Sequence, residues 1–188
     1  MATELLQSAF RLNGKRVSLR GFGETELYSD DYLTWCNDFD VIKKIGRDDY
    51  NLPVTRKMLV DYVTNLPEGR TAMMAIYYDE PETSKFVGTL KLYDIDMVSK
   101  RASIGIMVGD REVWGKGIGT EAMNLIIDHL FTKLHFRKVT AGYQSDNMAM
   151  AKSFERAEFV QEGVLKEHTY TDGAFQDIVL VARFSEAK

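Results

Sequence analysis

Alternating and helical spacings divide the chain into eleven segments. Lys15 to Arg20 alternates Val17 and Leu19 with polar neighbours and predicts a first strand, ended by Gly21-Phe22-Gly23. Leu27, Tyr28, Leu33 and Trp35 predict an imperfect amphipathic helix over Glu24 to Asn37. Met58, Leu59, Tyr62 and Val63, after Pro53, predict a second over Val54 to Leu66, closed by Pro67. Three strand runs follow, Thr71 to Tyr78, Lys85 to Tyr93 and Arg101 to Val108, and their short turn-like links predict an antiparallel meander. Ile118, Ala122, Leu125, Ile126 and Leu130 then recur at helical spacing down to Leu134. Lys138 to Gln144 reads as another strand, and Asn147 to Ala157 as a short helix with Met150, Ala151 and Phe154 inward. The chain closes with Phe159 to Tyr170 and Phe175 to Phe184 around Thr171-Asp172-Gly173, a hairpin signal. The polar stretch Asp38 to Asn51 reads as a solvated connection that could border a pocket.

The resulting order, β-α-α-β-β-β-α-β-α-β-β, predicts an α/β fold: a mixed, mostly antiparallel twisted sheet with helices on both faces. At 188 residues with 45% hydrophobic content, residues 1–188 read as one globular domain with a sizeable core. The single cysteine, Cys36, has no internal disulfide partner and reads as a small core residue beside Trp35. A net charge of −4 with scattered Lys and Arg gives no footprint for nucleic acid and is compatible with a cationic amine substrate. No apolar run approaches the roughly 20 residues of a membrane span, and no signal peptide is visible, so the expected location is the cytoplasm.

The candidate chemistry lies between the third strand of the meander and the long helix. Gly115, Gly117 and Gly119 interleave with Lys116 and Ile118 and open that helix. Unpaired N–H groups of a first helical turn, the positive end of its dipole and backbone without Cβ atoms suit a phosphate or pyrophosphate. A plain strand-to-helix turn would use the same residues. Lys116 precedes Gly117, which breaks the register of a Walker loop, and no glycine stands three past Gly117, as a dinucleotide fingerprint requires.

Trp114-Gly115-Lys116-Gly117-Ile118-Gly119 resembles the acyl-CoA-binding signature of the GNAT superfamily of N-acetyltransferases, in the form found in its ribosomal-protein and polyamine acetyltransferase branch. The resemblance extends along most of the chain. Asn147 through Glu155-Arg156-Ala157 and Phe159 look like the family's Asn-led helix, and Gly163 to His168 with Asp172-Gly173 and Asp177 look like its closing hairpin. It implies a single GNAT-like domain that takes acetyl-CoA as co-substrate, with no metal, and acetylates a primary amine of a small molecule or a protein N-terminus. It also implies that the cofactor lies where two strands splay apart. Its pantetheine would pair with Ile106, Met107 and Val108, and its pyrophosphate would sit on Trp114, Gly115, Lys116, Gly117, Ile118, Gly119 and Thr120. Asn147 and Phe154 match positions that contact the cofactor arm. A homodimer is common among such proteins.

Two departures bear on the chemistry. The family's proton-donating hydroxyl maps onto Phe154, which has none, and its frequent glutamate maps onto Ser103. Glu158 stands where a glycine usually precedes the aromatic. The remaining candidates for handling protons are His168 on the closing hairpin, with Glu167 next to it, and Tyr93 and Asp94 at the end of a strand. These departures motivate a second reading, a non-catalytic acyl-CoA-binding or sensing domain. A third is a nucleotide-binding protein using the glycine loop alone.

Overall fold

The structure, a computed structural model, describes residues 10–45 and 52–186. In chain order they form β1 (Arg11–Asn13), β2 (Val17–Gly21), α1 (Glu24–Leu27), α2 (Asp30–Asn37), α3 (Phe39–Ile42) and α4 (Arg56–Thr64). Then come β3 (Ala72–Glu80), β4 (Thr83–Asp96), β5 (Arg101–Val108), α5 (Ile118–Thr132), β6 (Lys138–Gln144), α6 (Met148–Arg156), β7 (Val160–Thr171) and β8 (Ala174–Phe184). The eight strands make one sheet in the order β1-β2-β3-β4-β5-β6-β8-β7. β5 and β6 are its one parallel pair.

The expected meander is present as β3, β4 and β5. The hairpin turn has the chemistry its residues predict: Asp172 and Gly173 both hold positive φ, 56° and 82°, which a two-residue turn matched to strand twist needs. Three expectations change. The predicted helix over 24–37 is two helices, because Ser29 is extended (φ −65°, ψ 144°) and its hydroxyl accepts the Tyr32 N–H at 3.1 Å, capping α2. The connection after residue 37 is partly helical, since Asp38 accepts the Asp40 N–H and starts α3. Residues 46–51 of that connection lie outside the described residues. A short strand, β1, precedes the first predicted one, too brief to show a period.

Removing the cap in Ser29→Ala is expected to cost about 1 kcal/mol of stability, read as a lower urea midpoint at unchanged slope.

Two apolar layers cover the sheet. On one face α5 buries Ile118, Ala122, Met123, Ile126, Ile127 and Leu130 against Val17, Leu19, Ile76, Val87, Leu90 and Ile104, with Phe154 of α6 at the edge. Each large side chain contributes about 1.5–3 kcal/mol relative to exposure, so the helix is fixed along its length and its N-terminus is a rigid platform. On the other face Phe22, Tyr32, Trp35, Cys36, Leu59 and Met107 form the second layer under α1 to α4. Cys36 is buried there, as expected. His129, which reads as a solvated residue on the polar face of α5, packs edge-on against Phe10 at 5.9 Å. Among the described residues no helix is long and apolar enough to cross a membrane.

Candidate active site

The geometry begins where β5 ends. The N–H groups of Gly109 and Asp110 both donate to the Val87 carbonyl, at 2.9 and 3.1 Å, holding the chain against β4. Asp110 then caps a single 3-10 turn, Arg111–Val113, by accepting the Glu112 N–H at 2.9 Å, and pairs with Lys85 at 2.7 Å. The Trp114 indole N–H donates to the Val108 carbonyl at 2.7 Å, folding the loop back over the strand. Gly115 and Gly117 take φ of 75° and 80°, the left-handed region that side chains resist, and deliver the chain into α5. The first helical bond runs from the Glu121 N–H to the Gly117 carbonyl at 3.0 Å. The amides of Ile118, Gly119 and Thr120 therefore have no helical acceptor and point out at the positive end of the helix dipole.

Beside this loop the sheet opens. β5 and β6 pair only from Arg101–Lys138 to Ser103–Thr140, while β4 stays paired with β5 up to Val108 and β8 stays paired with β6 up to Gln144. The two strands diverge beyond Ser103 and Thr140. A Cβ on Gly88 would collide with the Met107 carbonyl, which places that carbonyl toward β4. Strand alternation then turns the polar groups of Ile106 and Val108 into the gap. The Val108 carbonyl is taken by Trp114, which leaves the Ile106 N–H and C=O and the Val108 N–H in need of partners. Met107 turns its backbone to β4 and buries its side chain in the second layer.

At the closed end of the gap the Ser103 and Thr140 hydroxyls lie 2.9 Å apart. Tyr93 stands opposite Ser103 on β4, and Lys91 opposite Gly105. Directly opposed strand residues share a face, so these side chains line the side covered by α4. An open cleft of about 290 Å³ continues from there, lined by Leu66, Pro67, Arg70, Thr71, Lys91, Tyr93 and Asp94. Burial first, and the Asp94 charge second, push the Tyr93 phenol up from its usual value.

The structure thus gathers most of the residues singled out from the sequence. Trp114 to Thr120 form the platform, and Ile106 and Val108 the free edge. Asn147 caps α6 at the end of β6, its side-chain oxygen accepting the Met150 N–H at 3.1 Å and its amide N–H groups left available. Phe154 is 3% exposed, its ring 5.6 Å from Tyr143 and 4.9 Å from Phe159, and belongs to the core. Tyr93 and Asp94 share the cleft. His168 does not join them: it is exposed in a register shift of the edge strand β7, four strands from β4, about 19 Å by strand spacing alone. Asp177 ties the hairpin together, accepting from Lys166 at 2.8 Å and from the Glu167 N–H at 2.9 Å, and these donors hold its carboxyl below the usual range. Glu158 sits at φ 60° just past α6, where a glycine would be unstrained, and pairs with Arg183 at 2.7 Å.

Two residues at the site escape sequence reasoning. Arg16 donates to the Lys116 carbonyl at 3.0 Å and pairs with Glu121 at 3.1 Å, bracing the loop from 100 residues away. Thr140 meets Ser103 across 37 residues. Neither carries a local signal, because each acts through a contact that only the folded sheet creates.

The Acetyltransferase (GNAT) domain family matches residues 16–160. An uncharacterized N-acetyltransferase of Bacillus licheniformis is 27% identical over 168 residues, 88% of this chain and 91% of that one. A ribosomal-protein-serine acetyltransferase of Escherichia coli is 25% identical over 134 residues, 71% of this chain and 72% of its own. The structure of a Vibrio cholerae spermidine N-acetyltransferase in complex with CoA and spermine superposes with a TM-score of 0.79 at 19% identity, covering 91% of this chain and 96% of that one, a likeness of fold. These relatives are transferases, which favours a catalytic reading over a sensing domain. With the match running through the free strand edge, the glycine platform and α6, the chain belongs to the GNAT acetyltransferase family, enzymes that move an acetyl group from acetyl-CoA to an amine nitrogen.

Proposed function

We propose that this protein acetylates a primary amine, on a small molecule or a protein N-terminus, with acetyl-CoA extended between β5 and β6. The observation that carries the reading is the divergence of those strands directly beside the N-terminus of α5. The diphosphate would rest on the amides from Gly117 to Thr120, the pantetheine amides would satisfy Ile106 and Val108, and the Asn147 amide would reach the arm from β6. From Val108 to Ser103 is five strand residues, about 16 Å, so an extended arm anchored at the loop delivers its thioester to the closed end of the gap. There a neutral amine attacks the carbonyl carbon, the C–S bond breaks, and the nitrogen gives up a proton while the departing sulfur acquires one.

We assign the proton handling to Tyr93 and Asp94 rather than His168, because only the first two line the cleft at that height. Tyr93, a phenol protonated at neutral pH, donates a hydrogen bond toward the departing sulfur, and the Asp94 carboxylate accepts the amine's proton through water. A cytoplasmic homodimer accompanies this reading. What supports self-association is β7, a twelve-residue edge strand with Val160, Val164, Leu165 and Tyr170 exposed.

The test is mass spectrometry of an amine panel incubated with acetyl-CoA. Acetylated product with stoichiometric free CoA is expected. Tight acetyl-CoA binding with no thiol released on any amine would return the sensing-domain reading.

A further inference from the structure

The cleft reverses the charge of the molecule around it. The chain carries a net −4, yet Arg70 and Lys91 face Asp94 alone among the charged lining residues. Lys91 is half-buried, and its ammonium donates to the Tyr62 hydroxyl of α4 at 2.7 Å while lying 5.3 Å from each of the Tyr62 and Tyr93 ring centres. Several other cations of this protein find carboxylates: Arg16 has Glu121, Lys44 has Asp146, Lys85 has Asp110, and Arg111 has Asp38 and Asp40. Among the described residues neither Lys91 nor Arg70 has one. The Tyr62 hydroxyl and the Tyr93 ring hold the ammonium in place without neutralising it, which leaves a preorganised site for an anion. Lys91 stands opposite Gly105 and Tyr93 opposite Ser103, so the cation sits one side-chain step from the closed end of the gap.

Resting on the transferase reading above, we propose that the acceptor is a primary amine that also carries a carboxylate, the carboxylate received by Lys91 and Arg70 while Asp94 faces the nitrogen. A free amino acid and a peptide with an acidic side chain near its N-terminus both present this chemistry. A polyamine does not, since its second ammonium would meet Lys91 and Arg70 as a like charge in a partly desolvated cleft.

The experiment compares spermidine, glutamate, and two N-terminal peptides identical except for Glu or Gln at the second position. Each is measured by CoA release and by calorimetric titration into the CoA-bound enzyme. At least one carboxylate-bearing amine is expected to exceed spermidine and its amide isostere tenfold or more in kcat/KM, about 1.4 kcal/mol. Glutamate leading identifies the amino-acid source, and the Glu peptide leading identifies the peptide source. Lys91→Met with Arg70→Met is expected to erase the preference, and Lys91→Arg to keep it. Spermidine turned over as well as the acidic amines, or a preference that survives the double substitution, overturns the inference while the transferase reading stands. Lys91-dependent binding of an acidic amine with no CoA release on any acceptor does the opposite: the carboxylate site stands and the transferase reading falls.

Discussion

Acetyl-CoA at a hundredfold excess over its dissociation constant is expected to stabilise the folded protein by about 2.7 kcal/mol, and Gly119→Val is expected to abolish that gain. For a chain of this size the shift corresponds to roughly 5–11 °C in Tm. ATP and NAD are expected to give no comparable shift, because neither supplies an extended amide-bearing arm for the unpaired groups of Ile106 and Val108. Gly119 is the cleaner of the two glycines to alter. Gly117 holds φ 80°, so a branched residue there strains the backbone whatever it does to the ligand. Gly119 carries no such φ, and a Cβ on it would lie 3.4 Å from Val108 Cγ2 and 3.6 Å from Ile106 Cδ1. Valine's helix propensity is no worse than glycine's, so the ligand-free fold should change little, with Gly119→Ala as the control for crowding. The branched methyls would instead extend past that Cβ toward Val108 and Ile106, narrowing the space between the first turn and the free strand edge where the ligand would enter. Thermal unfolding of both proteins, with and without each ligand, reads the result. An equal shift with ATP, or an undiminished acetyl-CoA shift in the variant, removes the glycine platform from the binding site.

The parts of this fold that were legible in the sequence are those whose period is long compared with their ends. The helix from Ile118 shows three turns of apolar spacing and was placed within two residues of its end, and Lys138 to Gln144 was placed as observed. The break at Tyr28-Ser29 was hidden because both flanking segments keep helical spacing, and only the extended Ser29 backbone separates them. The glycine loop was readable because its chemistry is local. The acceptor side was not, because it is assembled across the sheet. Ser103 meets Thr140, Tyr93 meets Ser103, and the Lys91 ammonium meets Tyr62 from a helix 29 residues earlier. The overall acidity is compatible with a cationic amine and says nothing of the two cations, Arg70 and Lys91, that line the cleft. Net charge sums over a surface that the substrate never touches, whereas recognition depends on the few charges within a Debye length of about 8–10 Å.

Phe154→Tyr is expected to lower stability by about 1–3 kcal/mol and to leave the rate constant unchanged or lower. The resemblance to the family matches Phe154 to a proton-donating hydroxyl, so the substitution tests that expectation. The structure gives that oxygen a poor place to go. The ring is 3% exposed, wedged between Tyr143 and Phe159 in the apolar layer that includes Val139, Ala141 and Val179. A hydroxyl buried there without a partner loses its hydration and gains nothing, which is the origin of the stability cost. Nor does the chemistry call for it. A thiol with an ordinary pKa near 8.5 leaves as a tolerable thiolate at neutral pH, and the Tyr93 hydroxyl already offers a hydrogen-bond donor in the cleft. The two effects are separable: urea unfolding reads the cost, and single-turnover rates at saturating acetyl-CoA and amine read the chemistry. Tyr93→Phe in the same assay is the counterpart, expected to slow the step that Phe154→Tyr leaves alone. A tenfold or greater rise in the Phe154→Tyr rate, about 1.4 kcal/mol of barrier, would move the acid from Tyr93 to position 154 and show that the leaving sulfur lies against α6.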